Sequence, residues 1–173
     1  MNIEKINSLV ELFFKKLEEI DKQKYFLRWL KNENESDYTW EEVSEKILKL
    51  SHKIKNLIKK SDRCLLLSEN RPEWLIADIA VMNAGGISVP IFTTYAADDY
   101  KYIINNCKPS LFIVSNNQQY EKIKNFIHNK NIISFEKIKS ESYFINDIYE
   151  ENIEKKINFN LKREMPACII YTS

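Results

Sequence analysis

Between Arg63 and Phe135, short apolar runs alternate with longer amphipathic ones, and this alternation constrains the fold more than any other feature of the chain. The runs Arg63-Cys64-Leu65-Leu66-Leu67-Ser68, Ile87 to Ile91, Leu111 to Ser115 and Ile132 to Phe135 are too short for helices and nearly continuous in apolar character. That is the signature of strands covered on both faces. Between them, Asn70-Arg71-Pro72-Glu73 opens a helix, because Pro72 costs nothing where first-turn N–H groups lack intrahelical partners. This helix carries Trp74, Leu75, Ile79 and Met82 and stops at Gly85-Gly86, where a left-handed residue is easily made. A second helix is expected from Asp98-Asp99 to Cys107 and a third near Gln118 to His128. Repeated strand-helix-strand units of this length predict the α/β class, a mostly parallel, doubly wound sheet with helices on both faces.

The flanking regions are less regular. Ile6, Leu9, Val10, Phe13, Leu17 and Ile20 recur at steps of three and four and place one apolar stripe on a helix beginning near Ile3. Tyr25 to Leu30 suits a short strand before a polar turn at Asn32 to Asp37. The spacing Thr39-x-x-Glu42 then predicts a capping box and a long helix to about Lys60, with Lys46, Lys49 and Lys53 on its solvated face. From Lys137 to Lys162 the chain is polar and weakly periodic, as expected of a loop with one short helix. Last comes an apolar run, expected as a buried strand from Ala167 to Tyr171, followed by Thr172 and Ser173.

Composition excludes several functions. Lys+Arg at 26 against Asp+Glu at 25 leaves a net charge of +1, too even to draw the chain onto a nucleic acid by its overall field. No apolar run approaches the roughly 20 residues of a spanning helix, and Met1 to Lys5 lacks the character of a signal peptide. A cytoplasmic location with no transmembrane segment is expected. The N-terminal stripe leaves a peripheral membrane contact open, although Glu4, Glu11, Glu18 and Glu19 would oppose anionic lipid. Cys64, Cys107 and Cys168 are odd in number, far apart and set among apolar neighbours, so all three read as buried hydrophobes in a reducing compartment. His52 and His128 have no partner at ligand spacing, and Asp98-Asp99 suits a helix start better than an acid–base pair. No catalytic and no metal-binding residue is therefore singled out.

In doubly wound sheets, ligands bind beyond the carboxyl ends of strands, where N–H groups and short hydroxyls meet phosphate oxygens. Thr172 and Ser173 occupy such a place after the last apolar run. The chain has only 2 glycines, both at Gly85-Gly86, so no segment can form a glycine-rich phosphate cradle.

The motifs Ser68-Glu69-Asn70-Arg71-Pro72-Glu73-Trp74, Ala77-Asp78, Gly85-Gly86, Val89-Pro90, Asp99-Tyr100 to Ile104 and the closing Tyr171-Thr172-Ser173 resemble those of the adenylate-forming acyl-CoA synthetases. The chain is most similar to the long-chain fatty acid–CoA ligases of that family. It departs from the family pattern at Ser61-Asp62, where Gly-Asp is frequent, which bears on the turn before the Cys64 run. The resemblance implies that residues 1–173 are an incomplete N-terminal subdomain of the adenylate-forming fold, a partial AMP-binding domain truncated inside the phosphate-binding loop that continues Gly-Thr-Thr-Gly-x-Pro-Lys-Gly in the family. It also implies an ATP-dependent reaction in which a fatty acid becomes an acyl adenylate and is then transferred to coenzyme A, with ATP, Mg2+ and coenzyme A as the cofactor set. Thr172 and Ser173 carry over as the first hydroxyls of the phosphate loop, and the fragment alone is expected to be inactive. Two further readings stand beside this one: a non-catalytic remnant or small α/β binding module, and an adenylating enzyme for a different carboxylic acid.

Overall fold

The computed structural model describes residues 5–31, 34–127, 131–153, 156–158 and 160–172. His128, Lys155 and Ser173 lie outside the described residues, as do the start of the expected first helix at Ile3 and of the expected turn at Asn32.

Helix α1 (Leu9–Glu19) begins later than its apolar stripe because Ser8 caps it. Glu11 N–H donates to Ser8 Oγ at 3.1 Å, and Asn7 N–H donates to the Glu11 carboxylate at 2.7 Å. Strands β1 (Tyr25–Lys31) and β2 (Asn34–Thr39) form an antiparallel hairpin, a sheet of its own. The polar stretch expected to be a turn as far as Asp37 is thus mostly strand. Its charged residues find cross-strand partners: Asp37 lies opposite Arg28 and accepts two hydrogen bonds from its guanidinium, at 2.7 and 3.0 Å. Helix α2 (Trp40–Leu57) starts as the Thr39-x-x-Glu42 spacing predicts. Glu42 N–H donates to Thr39 Oγ1 at 3.2 Å and Thr39 N–H to the Glu42 carboxylate at 2.7 Å.

The alternating region then gives β3 (Arg63–Leu67), α3 (Pro72–Asn83), β4 (Ile87–Ile91), α4 (Ala97–Cys107), β5 (Leu111–Val114), α5 (Asn117–Ile123) with a turn of 3-10 helix at Lys124–Phe126, and β6 (Asn131–Ser134). In the stretch expected to be loop, a two-residue strand β7 (Tyr143–Phe144) leads into a short helix α6 (Ile145–Glu150). The parallel sheet runs β4-β3-β5-β6-β7. Successive side chains of a strand enter opposite cores. Cys64 and Leu66 of β3 face a core that includes α1, α2 and α3, whereas Leu65 and Leu67 face one built with α4 and Ile123 of α5. The sheet is doubly wound, as expected.

The two glycines have separate reasons. Gly85 has φ +85°, where a side chain is strained. At Gly86 an added Cβ would come 2.8 Å from Ile58 Cδ1 and 3.1 Å from Val81 Cγ1.

The last segment departs from expectation. Residues 167–171 do not form a buried strand; they make one parallel bridge, Ser88 to Cys168, with hydrogen bonds from Ser88 N–H to Ala167 O and from Ile169 N–H to Ser88 O. The next donor on that side of β4 belongs to residue 90, and Pro90 has no N–H to give. Ile169 and Tyr171 still pack on the sheet, while Cys168 and Ile170 are exposed.

Cys168 is therefore not the buried residue expected from its neighbours. Burial pushes the Cys64 thiol up to about 12 and raises that of Cys107 as well, which keeps both protonated. A disulfide reagent at neutral pH should titrate one thiol in the native chain and all three in denaturant. Loss of the native signal in Cys168→Ser would assign it, and a native count of two or three would contradict the burial of the other two. Among the described residues no helix is long and apolar enough to cross a membrane.

Candidate functional site

All strands of the parallel sheet direct their carboxyl ends to one rim, where 68–69, 92–96 and 115–116 leave β3, β4 and β5. The chain progresses outward from β3 first to β4 and then, on the other side, to β5. The crevice between β3 and β5 is thus the switch point at which folds of this order admit ligands.

Here that crevice is occupied by the chain itself. The Glu69 carboxylate accepts from Ser115 Oγ at 2.5 Å, Gln119 Nε2 at 2.6 Å and Asn116 Nδ2 at 3.4 Å. Burial pushes the Glu69 carboxyl up, but these hydrogen bonds outweigh it and hold the group below its ordinary value. A carboxylate so engaged ties the exits of β3 and β5 together and is poorly placed to carry protons. Nearby, Arg71 pairs with Glu73 at 2.8 Å and Glu136 at 2.9 Å while lying over the rings of Trp29 and Phe135, which links the hairpin to the exit of β6.

The other place on this rim lies outside β4, and it holds Thr172, one of the two residues singled out by sequence. Tyr171 is anchored three ways: its carbonyl accepts from Tyr95 OH at 3.2 Å, its hydroxyl donates to Asn106 Oδ1 at 2.6 Å, and its ring meets Tyr102 edge-on at 6.3 Å. The adjoining loop is fixed as well, with Tyr100 OH donating to Phe92 O at 3.0 Å and Lys122 Nζ to Thr93 O at 2.6 Å. Thr172 follows this anchored tyrosine and is exposed. An exposed hydroxyl on a fixed backbone, beyond the carboxyl edge of a parallel sheet, can donate to an anionic oxygen without reorganising its surroundings. Of the two predicted residues, only Thr172 is described.

The remaining polar candidates lie elsewhere. Asp99 caps α4 by accepting from Ala96 N–H at 3.0 Å, as its position predicts, and Asp98 is exposed. His52 is at the opposite rim beside Gly85 and Gly86. Among the described residues no group of three or more His, Cys, Asp or Glu is placed to hold a metal ion. Beneath the β4 edge, Asp78 is pushed up by burial, opposed by the neighbouring Ser88 hydroxyl.

Sequence reading missed the anchors of Tyr171. Tyr102 and Asn106 are four apart on α4 and so share a face, a local sign that could have paired them with one partner. Glu69 and Gln119 are 50 residues apart and left no local sign at all.

A model of the AMP-binding enzyme family matches residues 18–173. The long-chain-fatty-acid–CoA ligase ACSBG2 of Xenopus laevis is 40% identical over 58 residues, 34% of this chain and 8% of that protein. ACSBG1 of Rattus norvegicus, named likewise, is 25% identical over 138 residues, 78% of this chain and 17% of that protein. The chain therefore spans a small part of the curated relatives it matches. In fold it is similar to a benzoate CoA ligase from Burkholderia xenovorans LB400, with a TM-score of 0.77 at 14% identity over 94% of this chain and 32% of the other.

Proposed function

Since this chain belongs to the AMP-binding enzyme family, we propose that it forms the N-terminal part of an ATP-dependent acid–thiol ligase that activates a long-chain fatty acid as acyl adenylate and passes it to coenzyme A in the cytoplasm. Residues 1–173 are in this reading a partial AMP-binding domain that ends inside the phosphate loop, and Thr172 and Ser173 are its first hydroxyls. The observation that carries the proposal is the fixed Tyr171 backbone presenting exposed Thr172 beyond the carboxyl edge of β4. The similarity to long-chain-fatty-acid–CoA ligases supports the choice of acid.

ATP supplies the phosphoryl oxygens on which charge develops when the acid carboxylate attacks. This chain's part is to present hydroxyl donors on a backbone anchored at Tyr171. Magnesium is implied for the intact ligase; among the described residues no group of three or more His, Cys, Asp or Glu is placed to hold it, so no part of the chemistry is assigned to it here. The 173-residue chain alone is expected to be inactive.

The test begins with the coding sequence beyond the Ser173 codon, which should read on as Gly-Thr-Thr-Gly. In the protein so encoded, palmitate should drive exchange of pyrophosphate into ATP and benzoate should not. Thr172→Ala should slow that exchange roughly tenfold to a hundredfold, the scale of one hydrogen bond to a charged oxygen. Exchange with benzoate alone would reassign the acid; a true stop after Ser173 would leave a remnant or binding module.

A further inference from the structure

A second concavity lies at the opposite, amino-terminal rim of the sheet. It is a cavity of about 560 Å³ between the second half of α2, the glycine turn before β4 and residues 156–158, 160–161 and 165–166, within the size range of small-molecule sites. Its walls include Leu48, Ile58, Ile157, Leu161 and Met165, all only half-buried, so apolar surface remains open to solvent inside it.

Its charge is one-sided. His52, Lys55 and Lys60 line it and are exposed, and no aspartate or glutamate is among its described lining residues. Among the described residues neither the Lys55 nor the Lys60 ammonium group is engaged in an ion pair or hydrogen bond. A concave, partly apolar wall concentrates the field of such cations, and lysine stems can lie along that wall while their heads stay wet.

Two of the polar lining side chains are already satisfied. Asn83 donates to Lys156 O at 3.2 Å and accepts from Asn158 N–H at 2.8 Å, and Ser51 donates to Ile47 O at 2.6 Å. Beside them the cavity offers open apolar surface and the unengaged ammonium groups of Lys55 and Lys60.

We propose that this cavity binds a small amphiphilic anion, its acidic head held by Lys55 and Lys60 and its apolar body against Leu48, Ile58 and Leu161. The site is separate from Thr172, at the other end of the sheet, and does not depend on the ligase reading.

The two glycines of the chain both line this cavity, which makes their amide signals a specific probe. In a titration of the 15N-labelled chain with decanoate below its micellar concentration, Gly85 and Gly86 should shift saturably. Decyltrimethylammonium, with the same tail and the opposite charge, should not shift them. Lys55→Glu/Lys60→Glu should weaken decanoate binding about tenfold or more, as expected for reversing two exposed charges. Glycine signals indifferent to decanoate, moved equally by the decyl cation, or shifted as readily in the double variant would overturn the proposal. Should the variant fail to fold, the comparison of the two amphiphiles on the unaltered chain decides alone.

Discussion

Leu66→Ala is expected to lower the stability of this chain by about 3–5 kcal/mol, the range for truncating a fully buried leucine that leaves a cavity. Leu66 has no solvent exposure and lies in β3, with Pro90 on one side and Ile113 on the other in register. Its side chain joins the core shared by α1, α2, α3 and α6, so no single neighbour can collapse into the vacated space. The loss is a large fraction of the 5–15 kcal/mol typical of a whole domain. Urea unfolding of both proteins, followed by circular dichroism, should show the midpoint displaced with an unchanged slope. A loss below about 1 kcal/mol would mean that the site repacks freely and that β3 is not the rigid centre described.

Glu69→Ala is expected to cost about 2–4 kcal/mol, because it leaves the Ser115 hydroxyl and the Gln119 amide, both buried, without their acceptor. Glu69→Gln keeps the shape but loses the charge, and it separates the electrostatic part through its pH dependence. The folded-state carboxyl of Glu69 is lowered relative to its ordinary value. Its contribution is therefore complete above the unfolded glutamate value of about 4.3 and is lost as pH falls through the lower folded value. The stability gap between the wild-type chain and Glu69→Gln should accordingly be widest near pH 7 and should narrow as pH drops below about 4.3. A gap that stays constant down to pH 3 would show that the carboxylate charge does not hold the exits of β3 and β5.

The alternating region was legible because its signals are local. Apolar runs of strand length, Pro72 at a helix start and the Thr39-x-x-Glu42 box each act within a few residues, and each reappears in the structure at or near its expected position. Errors arose where partners are distant. Residues 34–37 look like a turn because they are polar, yet Arg28 across the hairpin turns Asp37 into a paired strand residue. Cys168 looks buried because its neighbours are apolar, yet the strand it was assigned to cannot lengthen beside Pro90.

The candidate site divides the same way. Tyr171-Thr172 could be marked from its motif, and its place past a strand end from the α/β pattern. Its three anchors come from α4 and the loop before it, some 65 to 76 residues away.

By itself the sequence determined the class of the fold, the positions of four of its five parallel strands and of the helices between them, and the family to which the chain is similar, because periodicity, caps and motifs are written within short windows. Only the tertiary structure decided which carboxylate closes the β3–β5 crevice, what holds Tyr171 still, which cysteine meets solvent and where cations gather around an open apolar wall. Those are properties of distance between residues remote in the chain, and no local pattern encodes a distance.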